Sequence, residues 1–184
     1  MSSKYKFNNL EGIYFVSFAV SGWLDIFTRQ AYRDLFLESL VYCRKEKNLN
    51  IHAWVIISNH VHLIISSKIE FKLADVMRDL KKYTAYKILN EIKESVTESR
   101  KEWMLFLFAK AGKQNSNNTN YQFWRQDNHP IELDFHSNMF EQRLNYLHNN
   151  PVEAGIVENA VDYLYSSATD YQEGKGLIEI DVLQ

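Results

Sequence analysis

Residues 51–67 read IHAWVIISNHVHLIISS. Two short apolar, β-branched runs, AWVII and VHLII, flank Ser58-Asn59. Runs of this length and composition predict two strands, with the Ser-Asn pair as the turn or bulge between them. The second run carries His60 and His62. Side chains two apart on a strand point to one face, so both imidazoles project together while Val61, Leu63 and Ile65 point into a core. Such a pair can offer two nitrogen ligands to one metal ion, and it is equally what two surface histidines on a half-buried strand look like. Two histidines do not complete a zinc site, so a metal reading needs a further ligand and a reactive group elsewhere.

Upstream, residues 12–20, GIYFVSFAV, predict another strand, broken by Gly22. Between residues 28 and 47, Tyr32, Leu35, Phe36, Leu40 and Cys43 recur at spacings of three and four, which predicts a helix with one buried face. Downstream, residues 71–92 predict a second helix with Leu73, Val76, Met77, Leu80 and Thr84 inward. Arg78, Lys81 and Lys82 share another face of it at i, i+3 and i+4. Residues 91–102, EIKESVTESRKE, read as an exposed charged stretch, and WMLFLFAKAG as a helix ending at Gly112. The polar run 113–120 reads as a loop. A last strand is expected within 121–133, closed near Pro130, and then a helix over 134–150 stopped by Pro151. In the tail, LIEIDVL reads as a short strand or an extended arm.

This order is βαββαβ, the ferredoxin-like α+β arrangement. It predicts a central antiparallel sheet with helices on one side, a helical insertion at about 91–120, a C-terminal Tyr-bearing helix and an arm over 152–184. All 184 residues are expected to form one domain. Forty-six percent hydrophobic and 14% aromatic content fits a packed core, and 6 Gly with 2 Pro argue against a loop-dominated all-β fold. Cys43 is the lone cysteine, so an internal disulfide is excluded. The sequence contains neither an apolar run near ~20 residues nor an apolar leader core, so a cytoplasmic location is expected. A formal charge of −2 weakens a nucleic-acid role but leaves room for a local basic patch.

The helix over 134–150 supplies what the histidine pair lacks. Tyr146 and Asn150 are four apart, on one face, bordered by Arg143. A phenol can attack as an oxygen nucleophile, and an amide carbonyl can ligate a hard cation. Two imidazoles and an amide oxygen leave positions open for substrate, closer to Mg2+ or Mn2+ than to structural zinc.

Five segments carry a resemblance: NHVHLIIS, RDLKKYT, FWRQDNHP, NYLHNNPVEAGIV and, downstream, YSSA. Together, from about residue 12 to 171, they resemble the single-tyrosine HUH transposases of insertion sequences, with particular likeness to the REP-associated tyrosine transposases. The resemblance implies a DNA nicking and strand-transfer enzyme. It implies His60 and His62 as metal ligands, Asn150 as the third ligand and Tyr146 as nucleophile, with Asn150 where the better-known branch has Gln. His148 stands where related sequences often have Tyr, and His129 matches a frequent histidine without an assigned role. The substrate implied is single-stranded DNA with hairpin or palindromic ends, handled by a monomer or homodimer. Arg78, Lys81, Lys82 and Arg143 could meet phosphates, and Tyr83, Tyr86, Phe123 or Trp124 could stack on bases. The alternatives are a domesticated protein that binds hairpins without cutting them, and a phosphodiesterase that hydrolyses without rejoining.

Overall fold

A computed structural model describes residues 6–68, 70–115, 120–126, 129–134, 137–172 and 174–183. Among them, strands β1 (Tyr14–Ala19), β2 (Leu49–Ile56), β3 (His60–Ser67) and β4 (Ile131–Glu132) form one antiparallel sheet in the order β2-β3-β1-β4. The helices are α1 (Gln30–Glu46), α2 (Leu73–Glu94), α3 (Lys101–Lys113) and α4 (Met139–Glu153). This is the ferredoxin-like α+β order, with α3 as the insertion.

The register sorts side chains between two faces. Val16 pairs with Leu63 and Phe18 with Val61, and all four are fully buried. They face α1 and α2: Trp124 packs on Phe18 and Phe36, and its indole N–H donates to Thr84 of α2 at 3.0 Å. The alternate set, with Phe15 beside Ile64, Ser17 beside His62 and Ala19 beside His60, faces the other way and lies under α4. A register shift in β2 between Ile51 and Ala53 inserts His52 as the extra residue. Beyond it Trp54 and Ile56 lie on the α1/α2 side and Val55 pairs with His62.

β2 is an edge strand, and the tail covers it. Ile56 N–H donates to Tyr165 O, Ser167 N–H to Trp54 O, and Asp181 N–H to Ile51 O. An edge bonded in this way is withheld from other chains. LIEIDVL is an extended arm, fixed by the ion pair of Arg44 with Asp181.

Several local expectations change. The last strand is only Ile131–Glu132, after Pro130, and Trp124 touches the sheet by a single bridge to Val20. Proline gives the ladder no N–H, so pairing resumes only past it. Phe123 and Trp124 are buried, which removes them as base-stacking platforms; Tyr83 and Tyr86 are exposed. Gly112 does not end its helix. A Cβ there would sit 2.7 Å from the Asn120 carbonyl, so glycine instead permits that segment's close approach.

α4 begins at Met139 rather than 134 and runs through Pro151 to Glu153. The proline ring is buried, and the backbone bonds of Ala154 to Asn150 O and Ile156 to Pro151 O carry the turn past the missing donor. Asn150 therefore stays in helical register with Tyr146.

The stretch 91–102 is largely exposed, as expected, but Ile92 and Glu98 within it are buried. The Glu98 side chain is 1% exposed and is held by Arg29 at 3.3 Å, Arg100 at 3.1 Å and the Tyr32 hydroxyl at 3.3 Å. Burial alone would raise its pKa, but the side-chain and backbone donors of Arg100, with the charges of Arg100 and Arg29, outweigh it and hold the carboxyl at about 2. Glu98→Ala leaves these donors without their acceptor. The expected cost is about 2 kcal/mol, below that of a fully buried pair because both arginines reach solvent. Urea denaturation checks this; a loss under about 0.5 kcal/mol, the usual limit for a surface change, would contradict it.

Candidate active site

The site lies on the sheet face under α4. His60 and His62 are successive same-face residues of β3, with ring centroids 4.8 Å apart. This face is covered, which sets aside the surface-histidine alternative for His62: it is 5% exposed, stacked on Phe15 at 5.2 Å and lying 5.4 Å from the ring of Tyr146. α4 delivers Tyr146 and Asn150 from successive turns of one face. Asn150 Oδ1 lies 3.2 Å from His60 Nε2, and Tyr146, 40% exposed, packs edge-on against Phe15 and His62. Arg143, one turn before Tyr146, sets its guanidinium 5.3 Å from the Phe15 ring centroid.

Neighbouring groups orient both imidazoles. Asn59 Nδ2 donates to the Trp23 carbonyl at 3.3 Å and to Asp25 Oδ1 at 3.0 Å, which turns Asn59 Oδ1 toward His60 Nδ1 at 2.8 Å. The His60 ring must donate from Nδ1, so its Nε2 holds a lone pair. That lone pair faces Asn150 Oδ1, and a cation or a proton between the two, or an Asn150 amide turned to donate from Nδ2, would satisfy it. A proton is disfavoured, because burial lowers the His60 pKa, against a smaller upward pull from Asn150. Ser17 Oγ lies 2.7 Å from His62 Nδ1, while the buried His62 Nε2 has no hydrogen-bond partner among the described residues. An N–H donated from Nδ1 to Ser17 leaves Nε2 as a ligand. Burial first, then the charges of His60 and Arg143, push the His62 pKa down to about 3.

The donor set is therefore two neutral imidazoles and an amide oxygen. This fits a divalent cation with open positions. Among the described residues, three or more His, Cys, Asp or Glu side chains do not come together anywhere, so a carboxylate or thiolate cage is not the competing arrangement. Sequence patterns do not mark Ser17, Asn59 or Asp25 as site residues. Asn59 has a signal in its place directly before His60; Ser17 and Asp25 have none, because their roles depend on strand register and loop return.

Arg78, Lys81 and Lys82 lie on α2, across the sheet from this cluster. Arg78 pairs with Asp75 and Asp79, and Lys81 donates to the Arg125 carbonyl and sits over the Phe18 ring. His148 points away from Tyr146 into the tail: its Nε2 is 2.9 Å from Ser167 Oγ and its ring packs on Tyr171. His129 is exposed, with φ 40°.

The buried histidines set a pH dependence. Burial lowers His148 to about 4, and His62 is held near 3, against about 6.5 in an unfolded chain. A lowered folded pKa means the unfolded state binds the proton first. The stability these neutral rings contribute is complete above about pH 6.5 and is lost as pH falls toward 4. At pH 5.5 His148 alone is expected to cost roughly 1–1.5 kcal/mol relative to pH 7.5. Urea midpoints at the two pH values check this; equal midpoints would contradict it.

The comparisons with known proteins bear on the family and the fold. The family model described as "Transposase IS200 like" matches residues 24–121, more than half of the chain. No curated protein matches the sequence. Among solved structures, a REP-associated tyrosine transposase bound to a REP hairpin superimposes with a TM-score of 0.67, covering 100% of this chain and 94% of that one at 14% identity. That likeness is one of fold. Among the described residues of this chain no helix is long and apolar enough to cross a membrane. With the family match spanning β2, β3 and their histidine pair, the chain belongs to the IS200-like transposases.

Proposed function

We propose that this transposase cuts and rejoins single-stranded DNA, with Tyr146 as nucleophile and a divalent cation, Mg2+ or Mn2+, held by His60, His62 and Asn150. One observation carries the proposal. Two neutral imidazoles, an amide oxygen 3.2 Å from one of them and a solvent-reaching tyrosine converge on one face of a single chain.

When bound, the cation would draw negative charge from the scissile phosphate and the departing oxygen. The Tyr146 oxygen gives up its proton and forms its bond to phosphorus as the bond to the 3′-oxygen breaks, and the departing 3′-oxygen takes up a proton. DNA is left with a 5′-phosphotyrosine link on one side and a free 3′-hydroxyl on the other. Attack by a second 3′-hydroxyl reverses the step and joins strands, and because the phosphodiester is retained throughout, an external energy source is unnecessary. Phe15 and His62 support the Tyr146 ring, and orientation of this kind supplies much of the barrier reduction in a two-body attack. Arg143, beside Phe15 and one turn before Tyr146, is the candidate counter-charge for an incoming phosphate.

The substrate proposed is a hairpin-bearing single strand. In this reading residues 1–184 act as one HUH domain in the cytoplasm. One chain supplies every group, so a monomer suffices and a homodimer is permitted. Arg78, Lys81 and Lys82 are candidate phosphate contacts on the α2 side, for DNA that wraps around the sheet. Incubation with hairpin-bearing single strands and Mn2+ should give a covalent protein–DNA adduct on a denaturing gel, lost with chelator. Tight hairpin binding with no adduct under any divalent ion would select the non-cleaving alternative instead.

A further inference from the structure

We infer that the cleft between the Gly22–Trp23 turn and the end of α3 holds an unpaired DNA base beside the phosphate that Tyr146 attacks. The inference rests on the strand-transfer reading and adds a site to it. The cleft has a volume of about 590 Å3, in the range of small-ligand sites, and its lining includes Trp23, Gln114, Asn115, Gln122, Arg125 and Gln126.

Trp23 is the reason to assign it a base. Its side chain is 55% exposed, so core packing does not explain it. Yet its backbone is held firmly: the N–H donates to Val20 O at 3.0 Å, and the carbonyl accepts from the same Asn59 amide that orients His60. Its φ of 55° is left-handed, a conformation bulky residues rarely adopt and keep only when their surroundings impose it. The indole meets the His60 ring edge-on at 6.3 Å, and the Arg125 guanidinium carbon lies 5.0 Å from its centroid. A fixed, solvent-reaching aromatic with a cation at its face is the combination that binds single strands, through stacking and phosphate attraction. Here it stands at the rim of the proposed cation site, one ring contact from His60.

The remaining wall carries amides, and those of Gln114 and Gln126 can both donate to and accept from a base edge. Asn115 Nδ2 donates to Gln122 Oε1 at 3.1 Å, and Gln122 N–H donates to Phe108 O, so this wall is built and not improvised. Gln114 and Asn115 come from the insertion, and the lack of a Cβ at Gly112 lets Asn120 and Tyr121 close against α3. The insertion thereby completes the pocket for the nucleotide next to the cut.

Fluorescence anisotropy of fluorescein-labelled hexathymidine and a labelled abasic hexamer, titrated with the full chain without added metal, tests this. The labelled hexathymidine should bind the parent. Trp23→Ala should weaken its binding about tenfold, and Trp23→Phe, which keeps a stacking face, should stay within about threefold of the parent. The abasic hexamer should bind the parent as weakly as hexathymidine binds Trp23→Ala. Equal affinity of parent and Trp23→Ala for hexathymidine, or no binding of hexathymidine by the parent, would overturn the inference. The hairpin adduct on the same preparation reports separately on Tyr146. An adduct with no Trp23 effect rejects the pocket alone, and a Trp23 effect with no adduct rejects strand transfer alone.

Discussion

Tyr146→Phe is expected to abolish adduct formation and strand cleavage, by at least about a thousandfold, while leaving hairpin binding and folding unchanged. The size of the effect follows from chemistry. Removing the phenolic oxygen deletes the atom that bonds to phosphorus, and none of the nearby groups replaces it: His62 is buried with both ring nitrogens spoken for in the proposed site, and His148 faces Ser167 on the other side of α4. The absence of a folding effect follows from exposure, since the tyrosine reaches solvent and Phe keeps its ring packing on Phe15 and His62. Gel quantification of adduct and product against time checks the rate, and urea midpoints check the fold. Cleavage by the variant within tenfold of the parent would remove Tyr146 from the chemistry.

His62→Ala carries the second large effect, a loss of cleavage of at least about a hundredfold together with loss of the stabilisation that Mn2+ gives the parent. A ligand that binds only the folded state raises stability by about 2.7 kcal/mol at a hundred times its dissociation constant. The parent should therefore melt several degrees higher in excess Mn2+ than in chelator. The variant also loses the contact with Phe15 and the bond to Ser17, so its melting point without metal will itself be lower. The difference between melting points with and without Mn2+ separates the two causes. A variant that keeps the parent's Mn2+ shift would show that His62 is not a ligand.

The histidine pair and the Tyr146–Asn150 pair were legible because each depends on a local period, two on a strand and four on a helix turn. The βαββαβ order was legible for the same reason. What escaped was decided by long-range placement. That α4 lies on the sheet face opposite α1 and α2, covering the histidines, is decided by its packing on β2 and β3, which no periodicity encodes. Glu98 reads as one more charge in EIKESVTESRKE until Arg29 and Tyr32, some seventy positions earlier, close over it. Trp124 reads as an exposed aromatic until Thr84 and Phe27 are seen to receive it. Pro151 reads as a stop, but a buried ring and the bonds beyond it carry one more turn. Ser17 reads as an ordinary strand residue; only the β1–β3 register sets it against His62.

The central claim concerns one atom, the phenolic oxygen of Tyr146. Reaction of the parent with a hairpin-bearing single strand and Mn2+, followed by proteolysis and mass spectrometry of the DNA-linked peptide, locates the bond directly. The expected result is a 5′-phosphate esterified to Tyr146, in the peptide spanning α4, with a free 3′-hydroxyl on the released strand. Free 5′-phosphate ends with no peptide attached, or a link to any other residue, would contradict it.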